Sequence, residues 1–252
     1  MKSKVDNENG ERICVVIPTY NESKNIVSLI NKIMSIFRMH NIDGFVVVVD
    51  DNSPDGTGKL VEEFSKNNSR VYVICRNSKM GLGSAYKDGF NFAVDKLKSK
   101  ILIQMDADFS HNPEYIPSFL KKIEEGFDVV VGSRNIDGGG IVGWGLKRRF
   151  LSFTANKLAK ILCGLTISDV TSGFKVFTSN VFRKISSKIC SNGFDFQVET
   201  LFWVQKEGFK VAELPIIFVN RKDGKSKLTI EEILRFIFTC IILSVKRFQA
   251  KG

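Results

Sequence analysis

Residues 101–117 read Ile-Leu-Ile-Gln-Met-Asp-Ala-Asp-Phe-Ser-His-Asn-Pro-Glu-Tyr-Ile-Pro. A nearly continuous apolar run, Ile101–Met105, leads straight into Asp106-Ala107-Asp108, and a helix-like stretch, Pro113–Glu125, follows. Short apolar runs without alternation suit strands buried on both faces, as in a parallel sheet. The same arrangement recurs on either side. Ile13–Ile17, Phe45–Val49 and Val71–Cys75 precede it and Asp128–Val131 follows, with helical patterns over Lys24–Met39, Thr57–Lys66 and Ser84–Lys98 between them. Alternation of this kind predicts an α/β fold, a mostly parallel doubly wound sheet flanked by helices, with right-handed crossovers.

After Val131 the pattern loosens. Gly138-Gly-Gly140 reads as a flexible stretch, Lys147-Arg-Arg149 opens a helical run to about Cys163, and Thr171–Phe177 and Lys210–Phe218 read as further strands. Ile230–Phe248 has helical length, with Glu231 and Glu232 at its start and Lys246 and Arg247 at its end, as the helix dipole prefers. The expected organisation is a flexible N-terminus over 1–11, one catalytic domain over 12–228 and a C-terminal apolar or amphipathic helix over 229–252.

Of the 252 residues, 43% are hydrophobic and 25% charged, which excludes a disordered chain. The net charge of +10 suits an anionic partner: nucleic acid, a phosphorylated substrate or a membrane face. Five scattered cysteines without a C-x-x-C pair exclude a disulfide framework and a Cys-rich zinc site, and two histidines exclude a His-rich one. The N-terminus lacks the apolar core of a signal peptide, and the longest apolar run, Phe236–Val245, is short of the ~20 residues of a spanning helix. An intracellular protein without an anchor of its own is the expectation.

In open α/β sheets ligands bind beyond the carboxyl ends of the strands. Each of the first four strands ends there in a polar loop: Pro18–Glu22, Asp50–Thr57, Arg76–Ser84 and Asp106–Asp108. Four such loops on one edge read as an active site, although any one alone would read as a solvated turn. Asp106 and Asp108, two apart on extended chain, point to one side. Two hard oxygen donors without nearby His or Cys ligands suit Mg²⁺ or Mn²⁺ bound together with a diphosphate, and such a metal neutralises charge on a departing nucleoside diphosphate. Asp51 is placed to hydrogen-bond a base or ribose. Asp55 reads chiefly as turn chemistry. Glu22 reads either as a nucleotide contact or as a first-turn carboxylate of a helix that Asn21 could cap. Gly81 and Gly83 would permit close approach of the backbone to a phosphate or sugar. His111 reads as structural.

Taken together, the segments VVIPTYNE (15–22), VVVDDNSPDGTG (47–58), GLGSAYKDGF (81–90), MDADFSHNPEYIP (105–117), GSRNIDGGGIVGWGLKRRFLS (132–152), DVTSGFKVF (169–177) and RKDGKSKL (221–228) resemble the GT-A glycosyltransferases of family 2. Among these the combination is similar to the dolichyl-phosphate mannose synthases. The resemblance implies the GT-A, nucleotide-diphospho-sugar transferase fold and a division of labour. Pro18, Tyr20, Glu22, Val49 and Asp51 would line the nucleotide pocket. Asp106, Ala107 and Asp108 would bracket the diphosphate, with Asp108 as metal ligand. Ser110 stands where the family often has Gln. Arg134 would sit near the phosphates or the sugar, and with Arg148 and Ser152, four apart on a helix, would hold the acceptor phosphate. Arg221 and Lys227 would close over the donor as a lid.

The implied reaction moves mannose from GDP-mannose to dolichyl or another polyprenyl phosphate, with inversion and with Mg²⁺ or Mn²⁺. A phosphate monoester, with a second pKa of about 6, is already a dianion at neutral pH and needs no general base. By the same resemblance the protein would sit peripherally on the cytosolic face of the endoplasmic reticulum, serve protein glycosylation and GPI-anchor synthesis, and depend on small membrane-embedded subunits. UDP-glucose is the alternative donor. A processive synthase is disfavoured because Q-x-x-R-W is absent, and nucleic acid because the basic residues are dispersed and no RNA- or DNA-binding module occurs. Intact Asp106, Asp108, Arg134, Arg221 and Lys227 argue against a silent scaffold subunit.

Overall fold

The computed structural model describes residues 11–220 and 229–249. Five strands of the first half form as short apolar runs: β1 (Ile13–Thr19), β2 (Gly44–Asp50), β3 (Val71–Cys75), β4 (Ile101–Gln104) and β5 (Val129–Ser133). The helices between them are α1 (Ile26–Met39), α2 (Thr57–Lys66), α3 (Leu82–Asp95) and α4 (Ile116–Glu124), the last preceded by a 3₁₀ turn at Pro113–Tyr115. On α1 the buried residues Ile26, Leu29, Ile30, Ile33, Ile36 and Phe37 form one stripe at helical spacing. That helix begins two residues later than Lys24. Asn21 does not cap it: Asn21 has φ +60, and the Glu22 carbonyl accepts the Asn25 and Ile26 N–H groups.

The second half adds β6 (Gly140–Val142), α5 (Leu146–Cys163), β7 (Lys175–Thr178), α6 (Ser179–Ile185), α7 (Phe196–Lys206), β8 (Val211–Pro215), β9 (Ile217–Val219) and α8 (Ile230–Arg247). The main sheet has the order β3-β2-β1-β4-β7-β5-β8. All its pairs are parallel except those of β7, which runs antiparallel between β4 and β5. Two apolar clusters cover its faces. One is built on α1, α2 and α4, the other on α3, α5, α6, α7 and α8.

Three expectations shift. Gly140 opens β6, which pairs with β9 in a small second sheet, so the glycine stretch ends in regular structure. The strand expected over 210–218 is two strands in two sheets, divided at Pro215-Ile216. The strand expected from Thr171 begins at Lys175, because the Asp169 and Ser172 side chains hold a loop by bonding Arg134 and the Gly132 carbonyl. The N-terminal segment read as flexible lies, through residue 10, outside the described residues.

Candidate active site

The Asp106–Asp108 segment leaves β4 at the carboxyl edge of the sheet and is held from three sides. The Asp106 N–H donates to His111 Nδ1 at 3.1 Å. His111 is buried, stacked on Phe174 with ring centroids 5.1 Å apart. Burial pushes the imidazole below its ordinary value, outweighing the opposing pull of Asp106 and Asp108. The ring is therefore neutral near pH 7. Because Nδ1 accepts, the proton sits on Nε2, which lies 3.8 Å from Asp106 Oδ2. The Tyr86 hydroxyl donates to Asp106 Oδ1 at 3.4 Å. Burial first, then the Asp106 charge, hold this phenol well above 10, so it remains a donor. Asp108 Oδ1 accepts the Ser110 N–H at 3.0 Å and the Ser110 hydroxyl. Ser110 thus orients Asp108.

Asp106 and Asp108 open into a cavity of about 210 Å³. Arg134, Arg148 and Ser152 line the same cavity, so five of the expected site residues meet there. Arg134 is not a loose cation. Its Nε and one terminal nitrogen bond the two oxygens of buried Asp169 at 2.6 and 2.7 Å, and the same terminal nitrogen bonds Thr171 Oγ1 at 2.8 Å. Burial would raise the Asp169 carboxyl, but the Arg134 guanidinium outweighs it and holds the group below the usual carboxylate range. The Trp144 ring lies 5.3 Å from the Arg134 guanidinium and 4.0 Å from that of Arg148, whose amino group also bonds Asn220 Oδ1 at 2.9 Å. Leu151 and Ala155 of α5 and Ile233 and Phe236 of α8 add apolar groups to the lining. The cavity thus combines acidic and cationic groups with hydrocarbon.

The residues expected around the nucleotide lie at the ends of β1 and β2 and do not line this cavity. Val49 and Ala107 are buried in the core. The Tyr20 ring lies 4.6 Å from Lys79 Nζ, and Pro18, near the end of β1, is partly buried. Glu22 is braced by its N–H on Thr57 Oγ1 and by the Asn25 amide on Oε2. Asp51 is buried in an ion pair with Arg76 and also accepts the Gly81 N–H at 3.3 Å. Asp55 is turn chemistry: it accepts bonds from Thr57 and from the Ser23 N–H, and these hold its carboxyl low against the effect of burial. Gly81 and Gly83 have a use within the fold. A Cβ on Gly81 would lie 2.5 Å from the Asn192 carbonyl oxygen, and one on Gly83 2.7 Å from that of Ser191, so these glycines let α3 begin against the chain's own 191–196 segment. Arg221 and Lys227 fall outside the described residues.

Trp144, Asp169, Thr171, Gln197 and Glu232 belong to the site geometry without having been singled out. Asp169 carried a signal: a lone carboxylate within an apolar stretch needs a buried cation. Gln197 carried none, since its helix was not legible.

The donor set fits a divalent cation that binds with its substrate. Asp106 and Asp108 supply hard carboxylate oxygens, and among the described residues no three His, Cys, Asp or Glu side chains cluster as a self-sufficient metal cage. Mg²⁺ and Mn²⁺ commonly bind through one or two carboxylates, completed by phosphate oxygens and water.

A model of glycosyl transferase family 2 matches residues 14–186. The chain is 38% identical over 230 residues to a polyprenol monophosphomannose synthase of Mycolicibacterium smegmatis, covering 90% of this chain and 85% of that one. It is 35% identical over 219 residues to an undecaprenyl-phosphate mannosyltransferase of Micrococcus luteus, covering 86% and 88%. Among solved structures, mannosyl-3-phosphoglycerate synthase from Rubrobacter xylanophilus superposes with TM-score 0.67 at 18% identity, over 97% of this chain and 78% of that one. Glucosyl-3-phosphoglycerate synthase from Mycobacterium tuberculosis, in complex with Mn²⁺, UDP and phosphoglyceric acid, gives 0.67 at 18% over 96% and 80%. These two likenesses speak for the fold alone. The mixed, mostly parallel sheet and the matched sequence together make this chain a member of glycosyl transferase family 2 with a GT-A fold.

Proposed function

We propose that the protein transfers mannose from GDP-mannose to a polyprenyl monophosphate, with inversion at the anomeric carbon. Dolichyl and undecaprenyl phosphate are members of that acceptor class. The observation that carries this reading is the mixed cavity: Asp106, Asp108, Arg134, Arg148 and Ser152 line one space of about 210 Å³ together with apolar side chains of α5 and α8. The mannosyltransferase names of the two bacterial relatives support the sugar and the acceptor class. Being bacterial, they lend no support to an endoplasmic-reticulum location.

In this reading the acceptor phosphate is the nucleophile and is ionised without help at neutral pH, in keeping with a neutral, buried His111. Arg148 and Ser152 hold its oxygens, while Arg134, fixed by Asp169, faces both phosphates from a rigid mount. A divalent cation on Asp106 and Asp108 would neutralise charge on the departing diphosphate. Positioning and charge stabilisation then carry the catalysis. Pro18, Tyr20, Glu22, Val49, Asp51 and Ala107 form the nucleotide side in this reading, in which Arg221 and Lys227 supply further cationic groups for the donor diphosphate.

A lipid acceptor requires the cavity to meet a bilayer. Apolar side chains of α5 and α8 line it, and these helices also expose Leu146, Phe150, Phe153, Leu234, Phe238 and Val245. Among the described residues no helix is long and apolar enough to cross a membrane. The exposed apolar side chains of α5 and α8 support peripheral attachment through these two helices, in the manner of interfacial helices.

The test is transfer by the purified chain from labelled GDP-mannose to polyprenyl phosphate in detergent with Mg²⁺ or Mn²⁺. Label should enter an organic-extractable, acid-labile product, and Asp108→Asn should abolish it. Transfer from UDP-glucose instead would move the donor assignment. Silence with both donors, in detergent and in membranes supplying any partner subunit, would refute the reading.

A further inference from the structure

Lys175 lies on β7 in the middle of the sheet, fully buried, and none of the steps above uses it. Its strand partners are Gln104 of β4 and Val131 of β5. Its ammonium makes no direct ion pair among the described residues. It donates instead to Oε1 of Gln197, the second residue of α7, in a short bond. The same oxygen accepts the Gln104 amide at 2.8 Å. The charges that face Lys175 are Asp169 and Arg134 from the loops beside β7 and β5, and Asp106 from the loop after β4. Burying a lysine on a neutral amide is costly. Burial drives its pKa down to about 7, and an apolar side chain would be the cheaper occupant.

The geometry shows what that cost secures. In its protonated form this side chain has only donors, so the group beside the ammonium must be an acceptor. Lys175 therefore dictates which end of the Gln197 amide points inward: Oε1 faces the sheet, taken by Lys175 and Gln104. Gln197 lines the cavity, and its Nε2 is the end left for that side; among the described residues no hydrogen bond engages it. With Lys175 replaced by an apolar residue, the amide can turn over together with that of Gln104, whose own Oε1 is buried without a partner, and set its oxygen toward the cavity, where it would repel an oxyanion.

We propose that Lys175 is a positioning residue, which by holding Oε1 of Gln197 presents the Gln197 N–H donors to a phosphoryl oxygen in the cavity. This rests on the reading of the cavity as a place where phosphoryl groups bind, but not on the identity of the sugar or the lipid. It adds one neutral donor pair to a lining that also holds the cationic Arg134 and Arg148.

The experiment is a double-mutant cycle on the full chain, with inorganic diphosphate and Mg²⁺ as probe and calorimetry as readout. Lys175→Met should leave the ligand-free melting temperature unchanged or raised, yet weaken diphosphate binding roughly 10- to 100-fold, the range typical of residues that orient a ligand from behind. Gln197→Met should cost a similar factor, and the double variant no more than either single one, because the lysine acts only through the amide. Full affinity in Lys175→Met, or losses that multiply in the double variant, would overturn the proposal. Gln197→Glu covers the case in which Lys175→Met does not fold. Its carboxylate keeps the bond to Lys175 but offers no donor, so unchanged diphosphate affinity in that variant overturns the proposal as well. Diphosphate binding that obeys the cycle in a protein unable to transfer mannose would refute the reaction and leave this inference standing, whereas a wild-type chain that does not bind diphosphate would overturn the inference.

Discussion

Single residues in this site mostly hold other residues in place. Asp169 is the plainest case: it is fully buried and takes three hydrogen bonds from Arg134, one from the backbone N–H and two from the guanidinium. Asp169→Asn would leave a buried guanidinium without its counter-charge, and removing one partner of such a pair costs about 3–5 kcal/mol. A lowered melting temperature at pH 7 is expected. The pH dependence has a definite sign. The folded carboxyl sits below its unfolded value, so its stabilisation is complete above the ordinary Asp pKa of about 3.9 and is lost as pH falls through the folded pKa. The gap between wild type and Asp169→Asn should therefore stay constant from neutral pH down to about 5 and narrow in stronger acid. A melting series across pH checks it, and a gap that widens in acid would contradict the pairing. Ser110→Ala removes the hydroxyl that fixes Asp108 Oδ1. It should raise the Mg²⁺ or Mn²⁺ concentration giving half-maximal transfer by about tenfold, with little change in melting temperature.

At the level of elements, the α3 start depends on the absence of side chains. A methyl at Gly83 would meet the Ser191 carbonyl oxygen at 2.7 Å and Phe196 Cβ at 2.8 Å, and a backbone carbonyl cannot swing away. Gly83→Ala should cost about 1–3 kcal/mol, read as a lowered denaturant midpoint with the slope unchanged. The same contact shows where sequence reading succeeds and where it stops. Three of the first four β-α units were legible because Val15–Ile17, Val46–Val49 and Leu102–Ile103 are buried on both faces, and the β3 unit was legible from its β-branched run although that edge strand is only partly buried. Asp106, Asp108, Arg134, Arg148 and Ser152 were also legible and do meet in one cavity. The helix α7 was not. Its residues from Phe196 to Val204 are all buried, Gln197, Glu199 and Thr200 among them, so it has no polar face for periodicity to detect. The partner of Gly81 and Gly83 lies just before that helix, more than 100 residues away, so this packing of the two glycines left no local pattern. The ion pair of Asp51 was not legible for a related reason: its partner Arg76 sits on a different loop, and pairing across loops leaves no local pattern.

For the whole molecule the two long-range terms are net charge and one apolar surface. The chain carries +10, and α5 and α8, packed on each other through buried Cys163 and Cys240, expose Leu146, Phe150, Phe153, Leu234 and Phe238 to solvent. Exposed Lys147 and Lys157 stand on the same helix as Phe150 and Phe153. Apolar burial and attraction to anionic headgroups reinforce each other at a bilayer, but they respond differently to salt. The protein should therefore sediment with vesicles containing anionic lipid, and more weakly with neutral ones. Raising ionic strength should erode the anionic advantage and spare the remainder. Replacing Phe153 and Phe238 by Glu removes two rings whose burial is worth about 1.5–3 kcal/mol each, predicting at least a roughly 10-fold loss of vesicle binding from either change alone. Both rings are exposed, at 66% and 63%, so the melting temperature should hardly move. Transfer to a short, water-soluble prenyl phosphate should survive in the double variant, while transfer to acceptor embedded in vesicles should fall with binding. Loss of both activities together would mean that these rings serve the site itself and that the bilayer is met elsewhere.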